Sequence, residues 1–178
     1  MIVSLLIDGF NLIYKFPDLE AKMCYNQLNS ARAGLLNKLK EYQSIKKTII
    51  RVVFDGRKDK SIETANERVG KIDVYYSLDY SADHLIKQFI KKDVNPKMTT
   101  VVTSDKDIIF YINRFGAKNI TSERFADMMN AAQLEFLEKQ ELERVTAEKE
   151  NPAISEEEIS YWQELFKKDK NKKDKKLK

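Results

Sequence analysis

The chain has 178 residues, 42% apolar and 34% charged, which suits one domain with a real core and a heavily charged surface. No apolar run reaches the ~20 residues of a membrane helix, the start lacks the basic segment and cleavage site of a secretory leader, and the single cysteine, Cys24, excludes an internal disulfide or a cysteine-rich zinc site. The expectation is a cytoplasmic protein with no membrane partner, whose charge of +4 divides into +6 on residues 167–178 (KKDKNKKDKKLK) and −2 on residues 1–166.

Residues 2–11, IVSLLIDGFN, open the chain with an unbroken apolar run that stops at Asp8-Gly9. A run without alternation predicts a strand buried on both faces, as in a parallel sheet covered by helices. Residues 11–29 have no clear periodicity, and Pro17 reads as a breaker. Ala31, Leu35, Leu36 and Leu39 fall on one helical face, predicting a helix over 30–42. A second strand is expected over 48–55, ending at Asp55-Gly56, and the polar segment 56–70 reads as a loop. KIDVYYS, residues 71–77, alternates and is rich in β-formers, so it is a third strand.

Ser81 is a candidate N-cap for a helix over 82–92 carrying Leu85, Ile86, Phe89 and Ile90 at helical spacing, with Asp83 in its first turn. Residues 98–104 form the next strand, running into Asp105, and a short helix closed by Gly116 follows. AKNI, residues 117–120, is a short final strand, and Thr121 or Ser122 caps a helix bearing Phe125, Met128, Met129, Ala132 and Phe136. After a highly charged stretch, Asn151-Pro152 is a break, and Ser155 with Glu158 makes a capping box ahead of Ile159, Trp162, Leu165 and Phe166. The alternation of strands and helices predicts an α/β fold with a mainly parallel sheet. The expected divisions are a domain over 1–137, a helical extension over 138–166 and a basic tail over 167–178.

Three strands ending in three aspartates place Asp8, Asp55 and Asp105 at one rim, the carboxyl edge where open α/β sheets bind ligands, and Asp83 reaches it from a helix start. Aspartates without histidine or cysteine suit a hard divalent cation, which would relieve their mutual repulsion and activate a water for attack on a phosphoryl group. Asn11 is placed to orient a phosphate or a water, and Ser104 and Asp107 lie near enough to contribute. Each acid singly has a plainer explanation, since Asp-Gly is an ordinary turn dipeptide and Asp83 and Asp107 suit helix starts. Their coincidence at one rim is what points to a site. Arg57, Lys58 and Lys60 follow the second acid, Lys106 follows Asp105, and Arg32 lies early in the first long helix; they are candidate phosphate contacts, with a merely solvated loop as the alternative for Lys58 and Lys60. His84, the only histidine, reads as an exposed helix residue.

The segments IDGFN, ARAGLLNKLKEY, VVFDG, YSLDYSADHLIKQFI, VVTSDKDI, RFGAKNITSERF and ISEEEISYWQELF resemble, in order, those of the YacP-like NYN family, a bacterial branch of the PIN-like nucleases. The resemblance covers nearly all of the chain except the lysine tail. It implies a PIN-like three-layer sandwich and an endoribonuclease dependent on Mg²⁺ or Mn²⁺. By the resemblance, Asp8 and Asn11 correspond to the acid and asparagine of the first strand, Asp83 to the helix-start acid, Asp105 to the acid of the T-S-D segment and Asp55 to the acid ending the second strand. His84 departs from the acidic or polar residue frequent at that position. Some relatives act on mRNA in association with ribosomes, and a lysine tail suits so much RNA.

The expected function is therefore metal-assisted internal cleavage of single-stranded RNA, with Asp8, Asp83 and Asp105 holding the metal, Asp55 assisting, and Arg32, Arg57, Lys58 and Lys106 contacting RNA. The alternatives are a non-catalytic RNA-binding or ribosome-associated adaptor, and a phosphohydrolase acting on DNA or nucleotides.

Overall fold

The computed structural model describes residues 3–56, 65–78, 80–150, 158–161 and 164. Six strands form one sheet: β1 (Val3–Asp8), β2 (Thr48–Asp55), β3 (Asn66–Val69), β4 (Ile72–Ser77), β5 (Thr99–Val102) and β6 (Lys118–Ile120). Their spatial order is β3-β4-β2-β1-β5-β6, and every pairing is parallel except that of β3 with β4. The chain moves from β1 outward through β2 to β4, then returns to the other side of β1 with β5. That reversal makes the carboxyl end of β1 a topological switch point, where the connections diverge and leave a crevice.

Strand pleating sends alternate side chains to opposite faces, and the buried residues sort accordingly. Leu5, Ile7, Val52, Phe54 and Val102 join one core with helices α1 (Gly9–Ile13), α2 (Pro17–Cys24), α3 (Leu28–Ile45) and the first half of α6 (Ser122–Glu150). Leu6, Val53 and Val101 join the other, against α4 (Ala82–Lys92) and α5 (Lys106–Asn113). Both faces of the central strands are thus covered, which accounts for their continuous apolar runs. The result is the expected three-layer α/β sandwich.

Pro17, expected as a breaker, instead opens α2. Its missing N–H is one the first turn leaves unpaired anyway, and its fixed φ suits helix entry. Segment 56–70, expected as a loop, contributes the edge strand β3, antiparallel to β4. Residues 57–64 lie outside the described residues, as do the cap at Ser155, Trp162 and the lysine tail. Contacts divide the chain into two units, Met1–Phe136 and Leu137–Lys178.

Local chemistry fixes the ends nearest the switch point. Asp8 caps α1, Ser81 caps α4 and Asp105 caps α5, each side chain accepting a backbone N–H of its helix. Gly9 is compelled by packing, because a Cβ there would lie 2.3 Å from the Phe54 ring. The Asp8-Gly9 pair is thus a strand-to-helix junction pressed against β2.

Candidate active site

Asp8, Asp55, Asp83 and Asp105 line one cavity of about 330 Å³ at the carboxyl rim, together with Asn11. They arrive from four separate connections, after β1, after β2, at the start of α4 and after β5, so only the completed sheet brings them together. Phe10, Tyr14, Met23 and Leu28 form an apolar wall of the same cavity, supplied by α1 and by the beginnings and ends of α2 and α3. A single cleft therefore offers carboxylates together with rings and aliphatic chains.

Asp8 is buried, and its pKa rises from 3.8 to about 6. Burial is the largest cause; the Asn11 N–H and Thr103 hydroxyl oppose it, and the charges of Asp83 and Asp105 add to it. Asp83 is also raised, by burial first and then by Asp105 and Asp55, against the pull of Lys87. Asp83 thus feels the charge of two acids from other connections, Asp105 and Asp55. A cluster held this way is stabilised by a cation or a proton.

The hydrogen bonds show which atoms are already committed. Asp8 Oδ1 accepts the Asn11 N–H at 3.2 Å, and its Oδ2 accepts the Thr103 hydroxyl at 3.1 Å. Thr103 in turn accepts the Asp105 N–H at 3.1 Å, so one buried hydroxyl ties two of the acids together. Asp105 Oδ1 is occupied by the N–H groups of Asp107 and Ile108. Asn11 Oδ1 accepts the Ser104 N–H at 3.1 Å, which fixes the orientation of its amide and leaves the NH₂ as a donor. Ser104 donates to Glu123 at 2.5 Å, and Glu123 pairs with Lys15 at 2.6 Å. The bonds from Lys15 and Ser104 hold Glu123 down to about 2.

The polar lining, four carboxylates and the Asn11 amide with no thiol or imidazole, fits a hard divalent cation in its chemistry. Among the described residues no three acids are drawn tightly enough together to enclose one ion.

Other expected residues stand differently. Lys106 is exposed at the start of α5, and Asp107 is exposed and absent from the cleft lining. Arg57 and Lys58 lie outside the described residues, with Lys60. Arg32, expected at the lip, is 4% exposed and lies 5.5–5.7 Å from the ring centres of Phe10, Phe54 and Tyr76. Its position on α3 faces the sheet core, so the guanidinium packs behind Phe10 through cation–π contacts instead of meeting solvent. His84 is exposed, as expected, and stacks on Tyr80. Thr103, Glu123, Lys15 and the apolar wall were not anticipated; the wall belongs to the stretch whose helices are too short to show a period.

The model of the YacP-like NYN domain matches residues 5–167. The chain belongs to that family. Its fold also matches crystal structures of Rae1 (YacP) from Bacillus subtilis. One, of a tryptophan-to-leucine mutant, is 24% identical with a TM-score of 0.64, covering 89% of this chain and 91% of that one. Another is 23% identical with a TM-score of 0.61, covering 99% and 97%. No curated protein matches the chain. The YacP-like NYN domain is a PIN-like nuclease fold, consistent with an RNase, and nucleases of this kind generally use divalent metals. Among the described residues no helix is long and apolar enough to cross a membrane.

Proposed function

We propose that this YacP-like NYN protein is a divalent-metal-dependent endoribonuclease that cuts single-stranded RNA in the rim cleft. The observation that carries this reading is the arrival of four aspartates from four connections around one cavity, with Asp8 raised to about 6. Asp8, Asp83 and Asp105 would hold Mg²⁺ or Mn²⁺, with Asp55 assisting. When bound, such an ion supplies an activated water and offsets charge on the phosphoryl oxygens.

The chain's own residues do the rest. Asn11, its oxygen engaged by Ser104, presents its NH₂ to a phosphate oxygen. Thr103 keeps Asp8 and Asp105 in register through its shared hydroxyl. Phe10, Tyr14, Met23 and Leu28 receive an unstacked base while the acids face the backbone, a division that favours a single strand over a duplex. The lysine tail supports ribosomes as the setting, through counterion release on binding ribosomal RNA.

The test is incubation of end-labelled single-stranded RNA, matched DNA and free nucleotides with purified protein in Mn²⁺, Mg²⁺ or chelator. Internal cuts in RNA that require metal are expected. Binding without cutting, on naked RNA and on translating ribosomes alike, would favour an adaptor, and turnover of nucleotides or DNA in preference to RNA would favour another phosphohydrolase.

A further inference from the structure

A second cavity, about 490 Å³, runs between α4 and α5 and is lined by His84, Lys87, Gln88, Lys91, Lys92 and Tyr111. Its origin is the amphipathic pattern of α4. Ala82, Ile86 and Ile90 are buried against the sheet, which leaves residues 84, 87, 88 and 91 as a stripe on the outer side, at i, i+3, i+4 and i+7. No acid lines the groove, and none of its three lysines is ion-paired with a described residue. Residues 1–166 carry −2 overall, so this concentration of positive charge is local.

The groove leads from the acidic cleft. Lys87 is close enough to Asp83 to lower that acid's pKa, and its ammonium also lies 5.9 Å from the Tyr111 ring centre. At the cleft end Tyr80, 62% exposed, stacks on His84 with ring centres 4.7 Å apart and planes 24° from parallel. Lys87 and Lys91 are one helical turn apart, ~6 Å along the axis, the scale of the step between phosphates of an extended strand. Alternating cations and exposed rings along a groove is the arrangement that binds single strands without reading their sequence.

We infer that the α4–α5 groove is an RNA track: Lys87, Lys91 and Lys92 hold successive phosphates of the strand leaving the cleft, and Tyr80 stacks a base at its entrance. The inference rests on the endoribonuclease reading and adds what that reading lacks, an attractive surface beside a cleft whose acids repel phosphate. It also places the substrate's path on the α4–α5 layer.

The test is anisotropy of a labelled oligouridylate binding to the full chain in chelator, across a range of salt, so that no metal or cutting enters. Lys87→Gln/Lys91→Gln/Lys92→Gln should weaken binding about tenfold or more at low salt and flatten the plot of log affinity against log salt by about 2, from three phosphates at ~0.7 each. Lys40→Gln/Lys47→Gln/Lys71→Gln, an equal charge change on exposed residues outside the groove, should leave the slope unaltered. Tyr80→Ala should cost about tenfold in affinity with no change of slope. Equal slopes for the two triple variants would overturn the track. Cleavage in Mn²⁺ separates the two readings: a wild type that cuts RNA, with a groove variant that binds and cuts as well as it does, removes the track and keeps the nuclease. A wild type that binds through the groove and never cuts removes the nuclease and keeps the groove.

Discussion

The two ends of the central sheet treat the same residue type in opposite ways. At the carboxyl rim Asp8 is pushed up to about 6, burial outweighing its two hydrogen bonds and two neighbouring acids adding to it. At the amino end, burial also raises Asp93, but the Asn95 N–H at 2.9 Å, the Thr99 hydroxyl at 2.8 Å and Arg51 at 3.8 Å outweigh it and leave the group below its ordinary value. Arg51 also donates to Ser4 and lies over Phe89, so that end is a closed network. One end satisfies its charge internally and serves the fold. The other gathers four acids at one cleft and holds Asp8 and Asp83 above their ordinary values, the kind of perturbation that clusters at functional sites.

The contrast is broken most severely at the rim. Asp8→Asn or Asp83→Asn should lower RNA cleavage in Mn²⁺ by at least about 100-fold, since each removes a carboxylate from the proposed metal-holding set. Gel analysis of labelled RNA checks this, and near-normal cutting by both variants would detach the rim from the chemistry.

The same Asp8→Asn change should stabilise the metal-free protein. Asp8 is raised in the folded state, so its contribution to stability is fully present below 3.8 and is lost as pH rises through about 6. That rise corresponds to about 3 kcal/mol by neutral pH. Urea unfolding in chelator should therefore show the variant gaining on the wild type between pH 4 and pH 7, with the gain levelling off above that. A variant that loses stability at pH 7 would mean that Asp8 is a satisfied structural acid like Asp93.

At the other end the sign reverses. Asp93→Ala leaves Thr99 and Arg51 short of an acceptor and should cost about 1–3 kcal/mol, with cleavage per folded molecule retained. Glu123→Gln should have the smallest effect, within about 0.5 kcal/mol on stability because the group is exposed, with a modest fall in cleavage as Lys15 loses the charge it pairs with beside Ser104.

Much of this was legible in the sequence because strand and helix ends carry local signals. The runs ahead of Asp8, Asp55 and Asp105 read as buried strands, the third ending at Val102 rather than at residue 104, and the Ser81 cap with the period of Ile86 and Ile90 placed Asp83 in a first turn, as the structure has it. What was illegible depended on short elements or on tertiary direction. α1 and α2, of five and eight residues, span too few turns to show a period, so the cleft's apolar wall was invisible. Edge strand β3 is polar and exposed except for Val69, hence its reading as a loop. Arg32 shows the limit most clearly: a basic residue on a helix near the rim looks like a phosphate contact until α1, β2 and β4 place three aromatic rings around it.

On the proposed reading the rim's aspartates hold a divalent cation. Calorimetric titration of Mn²⁺ into the full chain, against Asp83→Asn and Asp93→Asn, tests it most directly. Saturable binding by the wild type and Asp93→Asn, with loss in Asp83→Asn, is the predicted result. Binding that survives in Asp83→Asn undiminished, or is absent from the wild type, would contradict it.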